Sequence, residues 1–207
     1  MVAAAHPIIA PEGKRIILLS ILIVVLLHVW LGYVVLPAWL LVALLVWLYR
    51  DPPRSIPSRP LAIVSPVDGK VLAIREGSDP FLKRQALHIT IRMSLTGAYS
   101  LRSVTEGKVM EEWRDTTGDF IEKGTMAAWI RTDEGDDLVM VFRIGHLAPL
   151  LHCQVNVGER IGQGQRCGHV LLGGTVELYL PTRVRTEVEV GQKILAGCDV
   201  LAQLIHG

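Results

Sequence analysis

The dominant feature of the hydrophobic pattern is an almost unbroken apolar run from Ile16 to Tyr49. At ~1.5 Å per residue a single helix of this length would measure about 50 Å, whereas the hydrocarbon core of a bilayer is about 30 Å thick. Gly32 and Pro37 lie near the middle of the run, where they favour a reversal of the chain. The pattern therefore predicts two short helices, about 16–31 and 34–48, that form a membrane hairpin.

Basic residues flank this run on both sides. Two precede it and three follow it: Lys14, Arg15, Arg50, Arg54 and Arg59. Because positive charge concentrates in cytoplasmic segments, both ends of the hairpin are predicted to lie on that side. Residues 1–49 are thus interpreted as an N-terminal anchor in the cytoplasmic (inner) membrane, with the rest of the chain facing the cytoplasm. A single tilted span followed by an exported domain is the alternative.

The remainder of the chain has a different pattern. Residues 50–60 include DPPRSIPSRP, whose four prolines exclude a regular helix and favour an extended linker. Beyond it, residues 61–207 contain short runs rich in Val, Ile and Leu, separated by Gly, Asp and Pro. Examples are ALHITIRMS, DLVMVFRI and VELYLP. Short runs at this spacing predict an all-β sandwich or barrel.

Two internal repeats sharpen this expectation. SPVDGKV at Ser65–Val71 is echoed by SVTEGKV at Ser103–Val109, and VNVGERIGQGQRC at Val155–Cys167 by VEVGQKILAGCDV at Val188–Val200. Each member of the second pair consists of a strand, a glycine turn, a short apolar segment and a second glycine turn. The predicted fold class is mainly β: a barrel-sandwich-like domain with duplicated hairpins, preceded by the hydrophobic helical hairpin.

Composition excludes several classes of function. Lys plus Arg (21) and Asp plus Glu (20) nearly cancel, so nucleic acid is not expected as a partner. The three cysteines form no CxxC pair, and His146, His152 and His169 lack the spacing of metal ligands. We therefore predict neither a disulfide framework nor a metal site.

Four motifs, taken in order, resemble a known family. They are RDPPRSIP at Arg50–Pro57, SPVDGKV at Ser65–Val71, the strand ending in MS at His88–Ser94, and GERIGQGQRCGHVLLGGTVELYLP at Gly158–Pro181. Their order and spacing behind a hydrophobic hairpin resemble the short bacterial and archaeal phosphatidylserine decarboxylases. No single motif is specific, but the resemblance covers nearly the whole chain.

The resemblance implies an unusual activity. Members of this family are made as inactive precursors in which a late serine attacks the preceding peptide bond and the chain is split. The new N-terminus becomes a pyruvoyl group that serves as the cofactor for decarboxylation of phosphatidylserine. An aspartate and a histidine of the family assist the self-cleavage.

This sequence departs from that pattern at two of the three positions. Counting back from LYLP places Gly174 at the position of the serine, and counting forward from the MS pair places Tyr99 at that of the histidine. Only the aspartate is retained, as Asp68, and an Asp-Gly pair also suits a turn without any catalytic role. Thr175 carries the nearest hydroxyl, but it is one residue out of register and predicted to lie on the opposite face of its strand.

The sequence thus predicts a membrane protein related to phosphatidylserine decarboxylase that has no pyruvoyl cofactor and is therefore non-catalytic. Arg92 and Arg102, near the former catalytic strand, are candidate ligands for a phosphate or carboxylate. The expected partners are a membrane phospholipid, and an active decarboxylase or a second copy of this chain. Two alternatives stay open: an active decarboxylase that uses Thr175 or an unrecognised route, and a structural subunit of a membrane complex.

Overall fold

A computed structural model describes residues 8–114, 124–144, 151–153, 156–171 and 173–205, with the backbone alone for 151–153. The chain divides into two compact units. The first ends at Pro53 and the second begins at Arg54. The second half of the predicted linker therefore belongs to the β unit.

The first unit is a helical hairpin. It consists of α1 (Pro11–Leu31), a 3-10 turn (Gly32–Val35) and α2 (Leu36–Leu48). Its two ends meet, because the amide of Ala10 donates to the carbonyl of Tyr49 at 2.8 Å and Ile9 forms an antiparallel bridge with Arg50. The chain therefore enters and leaves this unit at the same end.

Glycine and proline set the point of reversal. Gly32 has φ +60°, a conformation that favours glycine, and it ends α1. Pro37 lies in the first turn of α2, where its missing N–H costs no helical hydrogen bond. The stretch Pro11–Leu48 contains an 18-residue window with a mean hydropathy of 2.6, and it is the part of the described chain that is long and apolar enough to cross a membrane. Helix α1 begins five residues before the predicted Ile16, because the charged turn at its start is already helical.

The second unit is built of strands. In the described residues they are β1 (Ala62–Val64), β2 (Gly69–Asp79), β3 (Arg84–Met93), β4 (Ser100–Arg102), β5 (Gly107–Arg114), β6 (Thr125–Arg131), β7 (Asp137–Arg143), β8 (Leu151–Cys153), β9 (Arg160–Ile161), β10 (Arg166–Val170), β11 (Thr175–Leu180), β12 (Val184–Thr186), β13 (Lys193–Ile194) and β14 (Val200–Leu204). All of the pairings between these strands are antiparallel.

The strand order is symmetric. Eight of the described strands form one sheet in the order β13-β2-β3-β11-β7-β6-β5-β9. Two three-stranded sheets have the orders β1-β14-β12 and β4-β10-β8. We call β13-β2-β3 the first arm of the large sheet and β9-β5-β6 the second arm. The arms are related by the sequence repeats, because SPVDGKV and SVTEGKV lead into β2 and β5 respectively.

Hydrogen bonds around the repeats match pair by pair. The hydroxyl of Ser65 donates to the carbonyl of Val67 at 2.7 Å, and that of Ser103 donates to the carbonyl of Thr105 at 2.6 Å. Both strands that follow have a register shift after the valine of the GKV sequence. The duplicated hairpins predicted from the sequence are therefore present, and the predicted fold class is confirmed: a β-rich domain preceded by a helical segment.

The core lies on one face of the large sheet. On β11 the side chains of Val176, Leu178 and Leu180 are fully buried in the main apolar cluster. Tyr179 packs on the other face, in a smaller cluster with Val139 and Val141. This alternation, with a period of two, fixes which side chains can reach which face.

The segment before β1 is tied to the strands. Arg59 donates to both carboxylate oxygens of Glu187 at 2.8 Å, and to the side chain of Gln203. This ion pair lowers the pKa of the Glu187 carboxyl and raises the pKa of Arg59. Ile56 packs so closely on Gly164 that a Cβ there would lie 2.9 Å from the nearest Ile56 atom. The proline-rich segment from Arg54 onwards is thus docked rather than free.

Candidate functional site

The turn between β3 and β4 brings the three predicted site positions together. The amide of Met93 donates to the carbonyl of Gly174 at 2.9 Å. The next amide, that of Ser94, donates to the main-chain carbonyl of Asp68 at 2.8 Å. Tyr99 follows directly at the end of the turn. Segments distant in sequence therefore meet at one place, as the family resemblance implies.

Asp68 is a buried link between three segments. Its Oδ2 accepts from Arg54 Nη2 at 2.6 Å and from the amide of Ala98 at 2.8 Å. Its Oδ1 accepts from the amide of Ala196 at 2.8 Å. Both side chains of the ion pair are about nine-tenths buried or more. Asp68 thus joins the proline-rich segment, the β3–β4 turn and the β13–β14 turn, which is more than the turn role predicted from Asp-Gly alone.

Tyr99 is also held by its surroundings. Its ring is buried, and its hydroxyl donates to the carbonyl of Leu95 at 2.5 Å. The ring of His169 on β10 stands edge-on to it, with the ring centroids 6.2 Å apart. The hydroxyl of Tyr99 therefore stabilises the β3–β4 turn. Sequence reasoning considered His169 only as a metal ligand, because its proximity to Tyr99 depends on the pairing of β10 with β4.

Gly174 lies where β11 leaves a tight turn. The preceding Gly173 has φ +87°, which strongly favours glycine. A Cβ placed on Gly174 would lie 2.9 Å from the carbonyl oxygen of Arg143, closer than side-chain carbons normally approach. Formation of a pyruvoyl group needs a serine at this position, because the serine hydroxyl attacks the preceding peptide bond and the serine carbons become the pyruvoyl group. The residues present therefore do not fit the family's cofactor, in chemistry or in space.

Thr175 faces away from this position. It lies opposite Arg92 on β3 and Arg143 on β7. By the alternation of the strand it shares the face of Glu177 and Tyr179, whereas Gly174 shares that of the buried Val176. The hydroxyl of Thr175 thus projects from the other side of the sheet.

Polar groups beside Thr175 form a small network. Arg143 Nε donates to Glu177 at 3.1 Å, and the Tyr179 hydroxyl donates to the same carboxylate at 2.9 Å. Burial, followed by the effect of Glu177, raises the pKa of Tyr179 to about 12. The carboxylate of Glu177 is therefore already occupied by two donors.

The two arginines predicted as ligands differ in accessibility. Arg92 is exposed and lies between Lys70 on β2 and Thr175 on β11. Arg102 is fully buried, and its Nη1 donates to the carbonyl of Gly164 at 3.1 Å. The prediction for Arg102 is therefore corrected: its guanidinium supports the loop of Gly164 and presents no surface to a membrane ligand.

Within the described ranges, no three His, Cys, Asp or Glu residues are grouped as metal ligands. His146 lies outside those ranges, and of His152 only the backbone is described.

The residue that sequence reasoning missed is Arg54, which it assigned to the linker as a flanking charge. The sequence does not show that Asp68 is buried against Arg54, because the two residues are brought together only in the folded chain.

Comparison with known proteins agrees with this arrangement. The family model for phosphatidylserine decarboxylase matches residues 41–202. A phosphatidylserine decarboxylase proenzyme of Nitrosomonas eutropha is 36% identical over 208 residues, covering 96% of each chain. Proenzymes of the same name from Cupriavidus metallidurans and Burkholderia pseudomallei are 36% and 34% identical, again with 96% of each chain covered. The chain therefore belongs to the phosphatidylserine decarboxylase family, a family of phospholipid metabolism.

Proposed function

We propose that this protein is a non-catalytic member of its family, anchored in the cytoplasmic membrane with its β domain facing the cytoplasm, where it binds phospholipid. The observation that carries the proposal is that glycine, Gly174, occupies the position of the self-cleaving serine. It supplies no hydroxyl for self-cleavage, and the carbonyl of Arg143 occupies the space that a side chain would need.

The other two site positions support the same proposal. The carboxylate of Asp68 accepts three hydrogen bonds, one of them from the buried Arg54, so this side chain is engaged in holding three segments together. Tyr99 stands where the resemblance places a histidine, and its hydroxyl is engaged with Leu95. The scaffold is thus preserved while the groups that would cleave the chain are absent or engaged.

The hairpin supports the membrane part of the proposal. The apolar part of α1, residues 16–31, is about 24 Å long and the 13 residues of α2 measure about 20 Å, so each helix reaches most of the way into a hydrocarbon core of about 30 Å. Since the two ends of the unit meet, α2 returns towards the side from which α1 entered. The basic residues Lys14, Arg15 and Arg50 at that end favour the cytoplasmic side.

The decisive test is the intact mass of the purified, denatured protein. We expect one species at 22.8 kDa that does not react with carbonyl reagents and releases no carbon dioxide from phosphatidylserine. Two fragments, the smaller with a blocked N-terminus, would overturn the proposal.

Thr175→Val is the matched control for the active alternative. The substitution keeps the shape of the side chain and removes the hydroxyl. We expect the variant and the parent to have identical chain length and no activity. If the parent is cleaved and Thr175→Val is not, Thr175 is the source of a ketoacyl group.

Lipid binding is tested on the same preparation. Extraction in mild detergent should recover phospholipid in stoichiometric amount, and Arg92→Gln should reduce it. Copurification of an active decarboxylase, or of a second copy of the chain, without bound lipid would favour a regulatory partner role instead. Absence of both, with unchanged lipids in a deletion strain, would favour a structural subunit.

A further inference from the structure

Three basic side chains oppose one another across the first arm. Lys193 on β13 lies directly opposite Lys70 on β2, and Lys70 lies directly opposite Arg92 on β3. Their neighbours Val71, Ile91 and Ile194 are buried in the core, so the three cations share the outer face of the sheet. All three are exposed. We call them the cationic row.

The cationic row is unfavourable for the fold by itself. Side chains directly opposite in an antiparallel pair have Cβ atoms about 4.5–5.5 Å apart, and like charges at that separation destabilise the sheet. None of the three cations forms a salt bridge with a described carboxylate. Asp199, in the turn after β13, accepts from the amide of Leu195 at 2.7 Å.

The second arm has an equivalent row of three basic residues, but carboxylates of the chain pair with two of them. Arg160, Lys108 and Arg131 oppose one another on β9, β5 and β6. Arg160 is paired with Asp133, and Arg131 Nε donates to Asp137 at 2.8 Å. The repeat thus produces a cationic row at each edge of the sheet, but it supplies carboxylates to one row only. The first row is left for an anion from outside the chain.

Exposed apolar side chains border the uncompensated row. Leu72 and Val190 are 37% and 60% exposed, and Leu95 and Leu195 are 64% and 48% exposed. Each is within three residues of a member of the row. The turn of Val190 also lies beside it, since a Cβ placed on Gly191 would be 3.8 Å from Lys70 Cε. Exposed leucines and valines next to unpaired cations suit a surface with negative headgroups above an apolar layer.

We infer that the cationic row, with its four apolar neighbours, docks the β domain on a bilayer that contains anionic phospholipid. The inference rests on the proposed membrane location, but not on the absence of catalysis. Each basic residue near an anionic membrane strengthens binding roughly fivefold, so the three together contribute on the order of a hundredfold. Docking weakens in high salt, because exposed charges are screened.

Lysine footprinting of the full chain tests this surface with an internal control. The protein is placed in nanodiscs of phosphatidylcholine alone or of an equal mixture of phosphatidylcholine and phosphatidylglycerol, then treated briefly with an acetylating reagent. Mass spectrometry reports the reactivity of each lysine. We expect anionic discs to protect Lys70 and Lys193 severalfold, to leave the repeat-related Lys108 unchanged, and to lose this protection in high salt.

The variant Arg92→Gln extends the test. It should reduce the protection of Lys70 and Lys193 in anionic discs, whereas Lys108→Gln should leave that protection unchanged. Equal reactivity in both kinds of disc, or equal protection of Lys108, would overturn the inference. Protection by soluble glycerol phosphate in detergent, with no bilayer present, would also overturn it and indicate a small-anion site. A split chain in the mass test would contradict the proposed function without changing any of these results.

Discussion

The two arms of the large sheet share a backbone and differ in what their side chains do. Asp68 in the first repeat is buried against Arg54, whereas Glu106 at the same place in the second repeat is exposed. The basic row of the first arm is uncompensated, and that of the second arm is paired with Asp133 and Asp137. One arm therefore carries the structural link and an unsatisfied charge, and the other carries neither.

This difference separates what the fold requires from what it permits. Both arms keep the glycine turns, the register shift and the buried valines, so these features are needed to build the duplicated sheet. The buried carboxylate and the uncompensated cations occur in one arm, so the sheet does not need them. Functional side chains placed on a common scaffold are the expected result when function is carried by sites rather than by the fold.

The largest effect is expected from removing the carboxylate of each repeat. Asp68→Ala leaves the guanidinium of Arg54 buried without its partner and frees two main-chain amides. We expect a loss of about 3–5 kcal/mol in the free energy of unfolding. Glu106→Ala, at an exposed position, should change it by less than about 0.5 kcal/mol. Thermal unfolding of the full chain in detergent, followed by near-ultraviolet circular dichroism, measures both.

Asp68→Asn is a milder companion to this pair. Asparagine keeps the shape of the side chain and one acceptor oxygen. The loss in the free energy of unfolding should therefore lie between the losses caused by Asp68→Ala and Glu106→Ala. Equal, small effects of Asp68→Ala and Glu106→Ala would show that the buried link does not stabilise the first arm.

A second, smaller difference lies at the centre of the sheet. Strands β11 and β7 occupy equivalent places, but Glu177 and Tyr179 on β11 correspond to Val139 and Val141 on β7. The pKa of Tyr179 rises from 10.0 to about 12 on folding. Since the folded pKa is the higher one, the stabilisation from neutral Tyr179 is fully present below pH 10 and is lost as the pH rises through about 12. After allowance for screening by solvent we expect this contribution to be about 1 kcal/mol.

Tyr179→Phe isolates that contribution. The variant lacks the titrating hydroxyl, so the stability difference between parent and variant should shrink as the pH rises through this window. A difference that stays constant from neutral pH to pH 12 would contradict the raised pKa. Other tyrosines, lysines and arginines titrate in both proteins, so their effects cancel in the comparison.

Much of the fold was predictable because it depends on local patterns. The apolar run, Gly32 and the alternating strands predict the hairpin and the β class, and the two sequence repeats predict the duplicated hairpins. The site was predictable as far as it follows the family motifs, which place Asp68, Tyr99 and Gly174. The contacts of Arg54 and the burial of Arg102 were not, because they depend on which loops meet in the folded chain. The cationic row was hidden for the same reason: Lys70, Arg92 and Lys193 become neighbours only through strand register.

The smallest effect tests the cost of the cationic row directly. Lys70→Gln removes the middle charge between Arg92 and Lys193, so it should raise the free energy of unfolding by a few tenths of a kcal/mol at low salt. Lys108→Gln should not raise it, because Arg131 and Arg160 on either side are already neutralised by carboxylates.

High salt should remove the gain of Lys70→Gln by screening the repulsion. Denaturant titration of the two variants in the same detergent measures the difference, and a gain that persists in high salt would point to packing rather than charge. If the gain is found, Lys70 lowers the stability of the fold, which is the pattern expected of a binding residue rather than of a structural one.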